Sequence, residues 1–271
     1  MIATAQPSIV EDLSTFPALL DPLTPAMPAR SRSVRRAIAS REDDRLARSP
    51  ATRQLSNRIR LNQPVVAHGG NSSTIYRVVK RLFDLVVALA LLMLLAPLLL
   101  ITFMALAMTT WGRPIFVQER VGYRGRKFPM LKFRTMHLDA AEMQQRVQNE
   151  KDGPIFKNRH DPRITRIGTI LRKTSIDEMP QLFNVLAGQM SIVGPRPPIQ
   201  SEVEQYRVWQ RRRLAVKPGL TCLWQVSGRS QIGFEDWVRM DIWYIKNQTF
   251  ATDLKLLLKT PASVLSGKGA H

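Results

Sequence analysis

Hydrophobic and polar positions divide the chain into an unpatterned first quarter, one long apolar run and a patterned remainder. Residues 1–74 carry Pro7, Pro17, Pro22, Pro25 and Pro28, then ten arginines from Arg30 to Arg60, then Gly69, Gly70, Asn71, Ser72 and Ser73. Without an apolar repeat such a stretch cannot bury a core, which predicts a disordered extension. Residues 82–108 have Asp84 as their only charge. As one helix they would extend about 40 Å, enough for a bilayer core of about 30 Å. Pro97 removes a backbone hydrogen bond and crowds the preceding turn, so a kink or reversal is predicted there. Either leg alone is too short to cross. Lys80 and Arg81 precede the run, and Arg113, Arg120, Arg124, Arg126 and Lys127 follow it. Basic flanks favour the cytoplasmic side, which predicts a re-entrant helix hairpin with both ends on that side. Asp84 is expected to pair with Lys80 or Arg81, one turn away.

Beyond this anchor, residues 114–136 alternate apolar and polar positions around a turn at 122–125, predicting two short strands. Residues 138–151 have the spacing of a polar surface helix, and 199–214 that of another ending in three arginines. Between them, 157–173 crowd Arg159, His160, Asp161, Arg163, Arg166, Arg172 and Lys173. Residues 234–245 and 253–265 show helical apolar faces. Trp237, Trp243 and Tyr244 suit either an interfacial anchor or a core. There is no internal repeat.

The most informative stretch is 168–198. Ser175 and Glu178 form an S-x-x-E capping pattern, Pro180 belongs in a first helical turn, and Gly188 is a plausible stop. Asp177 and Glu178 are therefore predicted at a helix N-terminus, which attracts anions. One carboxylate suffices for a cap, and here there are two. They stand between Arg172 and Lys173 on one side and, on the other, Arg196 framed by Pro195 and Pro197. A rigidly held arginine suits bidentate contact with phosphate. Lys217, Thr221, Gln225 and Arg229, in a turn-rich segment, are further candidates for a polar ligand.

Charge sharpens the picture. The 271 residues hold 40 Lys and Arg against 21 Asp and Glu, a net charge of +19. Without residues 1–74 (ten basic, six acidic) the remainder keeps 30 and 15, or +15. The excess belongs mainly to the folded part and implies an anionic partner. A single cysteine, Cys222, excludes an internal disulfide framework, and four scattered histidines give no metal-ligand spacing. Any metal would take oxygen ligands. A membrane-tethered nucleic-acid binder is the alternative from another class. No recognition element or base-stacking aromatics accompany the arginines, so nucleic acid is not an expected partner.

KRLFD leading into a proline-broken apolar run, KFRTM, LRKTSIDEMPQLFNVLAGQMSIVGPRP and KPGLTCLWQVSGR together resemble the bacterial sugar transferase family. Its members include monotopic polyprenyl-phosphate phosphoglycosyl transferases. The resemblance covers residues 76–262. It implies an α/β, mostly helical, membrane-associated fold with a small irregular β element and amphipathic interfacial helices. The divisions expected are an extension at 1–74, the re-entrant anchor at 75–110 (Lys80, Arg81, Asp84, Pro97), a cytoplasmic catalytic domain at 111–262 and a tail at 263–271. It also implies transfer of hexose 1-phosphate from a UDP-sugar to undecaprenyl phosphate with release of UMP, initiating exopolysaccharide, capsule or O-antigen assembly. The setting implied is the phospholipid of the bacterial inner membrane, with a homo-oligomer left open. Asp177 would be the nucleophile, Glu178 would assist with metal or proton, and Mg²⁺ would be held at Asp177 and Glu178. Arg172, Arg196, Lys173, Lys217 and Arg229 would serve phosphate and substrate. One departure is Ala96, where members often carry serine before the proline. Arg211, Arg212 and Arg213 could meet lipid head groups or the nucleotide.

Overall fold

The computed structural model describes residues 73–147, 149, 154, 158, 160–227 and 232–266. The N-terminal extension, Arg229 and the end of the tail lie outside them. The elements run α1 (Thr74–Thr109), β1 (Ile115–Val121), β2 (Lys127–Phe133), α2 (Arg166–Thr174), α3 (Gln181–Leu186), β3 (Ser191–Val193), α4 (Gln200–Gln205), β4 (Gly219–Thr221), α5 (Leu223–Val226), α6 (Phe234–Lys246) and α7 (Phe250–Ser266). The fold is mostly helical, with two two-stranded sheets: β1 antiparallel to β2, and β3 parallel to β4.

The chain stays helical through Pro97, so α1 is one 36-residue element rather than two legs joined by a loop. Proline deletes only its own N–H, and a helix survives the loss of one bond. In the most apolar 18-residue stretch of α1, 11% of residues are buried. A soluble core helix would be mostly covered; this one is long and apolar enough to cross a membrane.

Polar groups dock the first turns of α1. Asp84, 2% exposed, accepts hydrogen bonds from Ser191 Oγ (2.9 Å) and Ile192 N (2.9 Å). It thus satisfies β3 and does not depend on the expected contact with Lys80 or Arg81. Lys80 instead pairs with Asp253 on α7 at 2.8 Å. Arg81 donates to the carbonyls of Val185 and Leu186 at 2.6 and 2.8 Å, at the C-terminal end of a short helix, where the exposed carbonyl ends favour a cation. Phe83 meets Phe250 edge to face at 5.2 Å. Near the other end of α1, Leu106 packs with Phe133 and Leu171. Replacing Asp84 with Ala should lower stability by about 3 kcal/mol, because a buried N–H and hydroxyl lose their acceptor. Asp84→Asn, which keeps one acceptor oxygen, should lose less; thermal unfolding of detergent-solubilised protein measures both.

The main core gathers α3, β3, α4, α6 and α7 around Leu182, Val185, Ile192, Val193, Val203, Trp237, Val238 and Leu256. Trp237, Trp243 and Tyr244 are 2%, 8% and 2% exposed, so they are core residues. The helix expected over 199–214 is interrupted: α4 ends at Gln205, and Tyr206 turns extended (φ −67°, ψ 134°). Tyr206 is buried against Phe234 and accepts from Arg213, which pairs with Asp241 at 2.6 Å. Arg213 is thus a buried structural cation and Arg212 an exposed one. Of the helix expected over 138–151, the described residues show a short 3-10 turn, Glu142–Arg146.

Candidate active site

Ser175 does not cap the acidic pair. It has φ 57°, closes α2 in the left-handed conformation, and makes no side-chain cap bond. A 3-10 turn, Ile176–Glu178, follows, and α3 begins after Pro180. Asp177 and Glu178 therefore project from the tight link between two helices rather than from an α-helical N-terminus. Gly188, at φ 77°, ends α3 as its sequence suggests.

Asp177 is 7% exposed. Burial pushes its carboxyl up to about 6, with the neighbouring Glu178 adding to the rise and Lys132 and Arg172 opposing it. Glu178 moves the other way: burial would raise it, but Lys132, Arg196 and Arg120 hold it below the usual carboxylate range. The contact behind this is Lys132 Nζ to Glu178 Oε1, 2.7 Å. The pair is thus split, one carboxyl ionised well below neutrality and the other near it, a division that environment alone can impose on adjacent acids.

Arg172, on the last turn of α2, donates through Nε to Thr135 Oγ1 at 2.9 Å. The approach of α2 to Thr135 depends on Gly168, where a Cβ would fall 2.0 Å from the Thr135 carbonyl oxygen. Arg196 lies in a turn whose carbonyls are held by three different segments, two of the carbonyls by neighbouring residues of β1. Pro195 O accepts from Gly219 N (2.9 Å), Arg196 O from Arg213 Nη2 (3.4 Å), Pro197 O from Arg120 Nη1 (3.2 Å) and Pro198 O from Val121 N (2.8 Å). Its side chain reaches Glu202 (3.6 Å) and lies over Trp237, 5.5 Å from the ring centre.

The other expected residues are placed elsewhere or not at all. Lys173 is exposed on α2. Lys217 stands beside Arg81 at Gly188, at the foot of α1, and burial followed by Arg81 lowers its pKa. Lys132 and Arg120 are what sequence reasoning missed. They face the body from the hairpin, where Arg120 pairs with Phe128, Gln118 with Met130, and Phe116 with Lys132. The signal was present: period-2 alternation puts both cations on the face of buried Phe128 and Met130. Among the described residues no three His, Cys, Asp or Glu side chains converge. A divalent cation would find two adjacent carboxylates and would complete its shell with water and substrate oxygens, a donor set that suits Mg²⁺.

The bacterial sugar transferase family model matches residues 75–267. The chain is 45% identical over 203 residues to a UDP-galactose-lipid carrier transferase of Erwinia amylovora, covering 72% of this chain and 42% of that protein. It is 42% identical over 205 residues to an undecaprenyl-phosphate galactose phosphotransferase of Salmonella typhimurium, with coverage of 72% and 42%. It is 38% identical over 202 residues to the exopolysaccharide production protein ExoY of Sinorhizobium fredii, with 71% of this chain and 88% of that protein covered. The chain thus spans less than half of the first two relatives and most of the third. With most of the described residues inside the matched region, and the acidic pair and arginine turn within it, this chain belongs to the bacterial sugar transferase family.

Proposed function

We propose that the protein transfers hexose 1-phosphate from a UDP-sugar to undecaprenyl phosphate, releasing UMP, at the start of exopolysaccharide assembly. The observation that carries this is the split acidic pair among Lys132, Arg172 and Arg196, on a body bearing one largely uncovered apolar helix. The relatives' names supply the donor and acceptor classes.

In the first half-reaction an Asp177 carboxylate oxygen attacks the β-phosphorus. A mixed carboxylic–phosphoric anhydride forms, the bond from that phosphorus to the bridging oxygen breaks, and UMP leaves with the electron pair. In the second, a phosphate oxygen of the lipid attacks the same phosphorus and frees the Asp177 carboxylate. Splitting the transfer lets a soluble donor and a membrane acceptor use one site in turn. Arg172 and Arg196 would hold equatorial oxygens, where charge grows in the transition state. Glu178, kept ionised by Lys132, is suited to charge and metal contact and poorly suited to donating a proton. Mg²⁺ at the acidic pair would neutralise the diphosphate.

For the anchor, the proposal is a helix that enters and leaves on the cytoplasmic face of the inner membrane. A straight α1 would separate Asp84 from Leu106 by about 33 Å. Both nevertheless pack on the same catalytic body, and basic residues stand at both ends. A bend near Pro97 would let the helix make both sets of contacts.

The test is product analysis with a panel of UDP-hexoses, using membranes that carry the full chain, with and without undecaprenyl phosphate. UMP release with sugar and phosphate moving together to the lipid is expected, and a chelator should stop it. Release of UDP would mean ordinary glycosyl transfer and would sink the phosphate-transfer reading.

A further inference from the structure

Arg120 has no place in the half-reactions above, yet it is 7% exposed and beside another guanidinium. Burial, then repulsion from Arg196, lowers its pKa to about 9. Its Nη2 donates to Gln118 Oε1 at 2.7 Å and its Nη1 to Pro197 O at 3.2 Å, while its Nε is buried without a partner. A buried cation without a contacting carboxylate is costly, and an apolar side chain could fill the space at less cost. The arrangement makes physical sense if the position of the guanidinium serves something.

We propose that Arg120 is a positioning residue for the Arg196 turn: braced by Gln118, it fixes the Pro197 carbonyl and so presents Arg196 to the donor's diphosphate. This rests on the proposed reading of the site and deepens it. The turn's other ties explain why one side chain matters. Pro195 and Pro198 are held by backbone amides of β4 and β1, which follow from strand pairing. Arg196 O has only the longer contact from Arg213, whose short partner is Asp241 at 2.6 Å. Pro197 O, immediately after Arg196, depends on Arg120. Three of the four residues at 195–198 are prolines, so the segment has almost no N–H with which to hold itself. Its orientation is set by what takes its carbonyls. The adjacent guanidiniums also leave a local positive excess that an incoming diphosphate would relieve.

The experiment is a double-mutant cycle on UDP binding by the purified full chain, with melting temperatures recorded throughout. Arg120→Gln and Arg196→Ala should each weaken UDP about tenfold, the cost of one charged hydrogen bond. The double variant should bind no more weakly than Arg196→Ala alone. Gln118→Ala loosens only the brace at the edge of the hairpin, so it should weaken UDP in the same direction by less, at unchanged melting temperature. Losses that add would overturn the proposal, because Arg120 would then act independently of Arg196; so would wild-type binding in both Arg120→Gln and Gln118→Ala. If folded wild-type protein neither binds UDP nor releases UMP, the reading of the site fails and this proposal falls with it. If it does both while the Arg120 and Gln118 variants match it, the positioning role alone fails.

Discussion

Asp177→Asn should abolish transfer, with UMP release falling about a thousandfold or more, as expected when a covalent nucleophile is removed from an intact site. The amide is nearly isosteric, so the fold and the Lys132–Glu178 contact should persist, and the melting temperature should not fall. It could rise, since burial already disfavours the Asp177 charge. The decisive arm omits the lipid acceptor. Wild-type protein given a UDP-hexose should release about one UMP per site and gain the mass of one hexose phosphate, located on Asp177 by peptide mapping. The asparagine variant should do neither. A variant that still releases UMP at the wild-type rate would remove Asp177 as nucleophile and the two-step scheme with it. Protonation gives a second check. With the carboxyl at about 6, the nucleophile is ionised at neutral pH and is lost below about pH 6, so wild-type activity should decline on that acid limb.

The acidic pair, Arg172 and the proline-framed Arg196 were legible because they lie in one continuous stretch. The strands β1 and β2 and helix α6 were legible because each carries its period over seven or more residues. What misled is equally local in origin. Ser175-x-x-Glu178 matches a capping pattern, but Ser175 is used to turn the chain out of α2, and a left-handed residue cannot also hold the standard N-cap geometry. The polar spacing of 199–214 concealed Tyr206 and Arg213, whose burial against Phe234 and Asp241 breaks the helix. Lys217 shares a turn-rich segment with other candidates, but pairing of β3 with β4 carries it to the foot of α1. Lys132 and Arg120 reach the acidic pair only through hairpin register, a tertiary fact, though a lysine on the buried side of an alternating strand was its trace in the sequence.

Lys132 carries the second large effect. Lys132→Met should reduce transfer about a hundredfold at neutral pH and move the acid limb upward from about pH 6. The sign follows from geometry. The ammonium, 2.7 Å from Glu178, lowers both carboxyls, whereas Glu178 raises Asp177. With the ammonium gone, two adjacent carboxylates face each other with less compensation, and the pair retains a proton at a pH where wild type has lost it. Asp177 loses the ammonium's direct stabilisation of its charge while the Glu178 carboxylate still repels it, so Asp177 is protonated for a larger fraction of the time. Part of the lost rate should therefore return as the assay pH is raised, whereas Asp177→Asn should stay inactive at every pH. Lys132→Arg keeps the charge and should leave the limb near its wild-type position, even if the longer side chain costs rate. UMP release across the range from about pH 5 to about pH 9 separates the cases. A Lys132→Met profile that is lower everywhere but unshifted would mean that Lys132 contacts substrate and does not set the charge of the pair. A shift to lower pH would contradict the electrostatic account of how one carboxyl is kept ionised and its neighbour is held ready to attack.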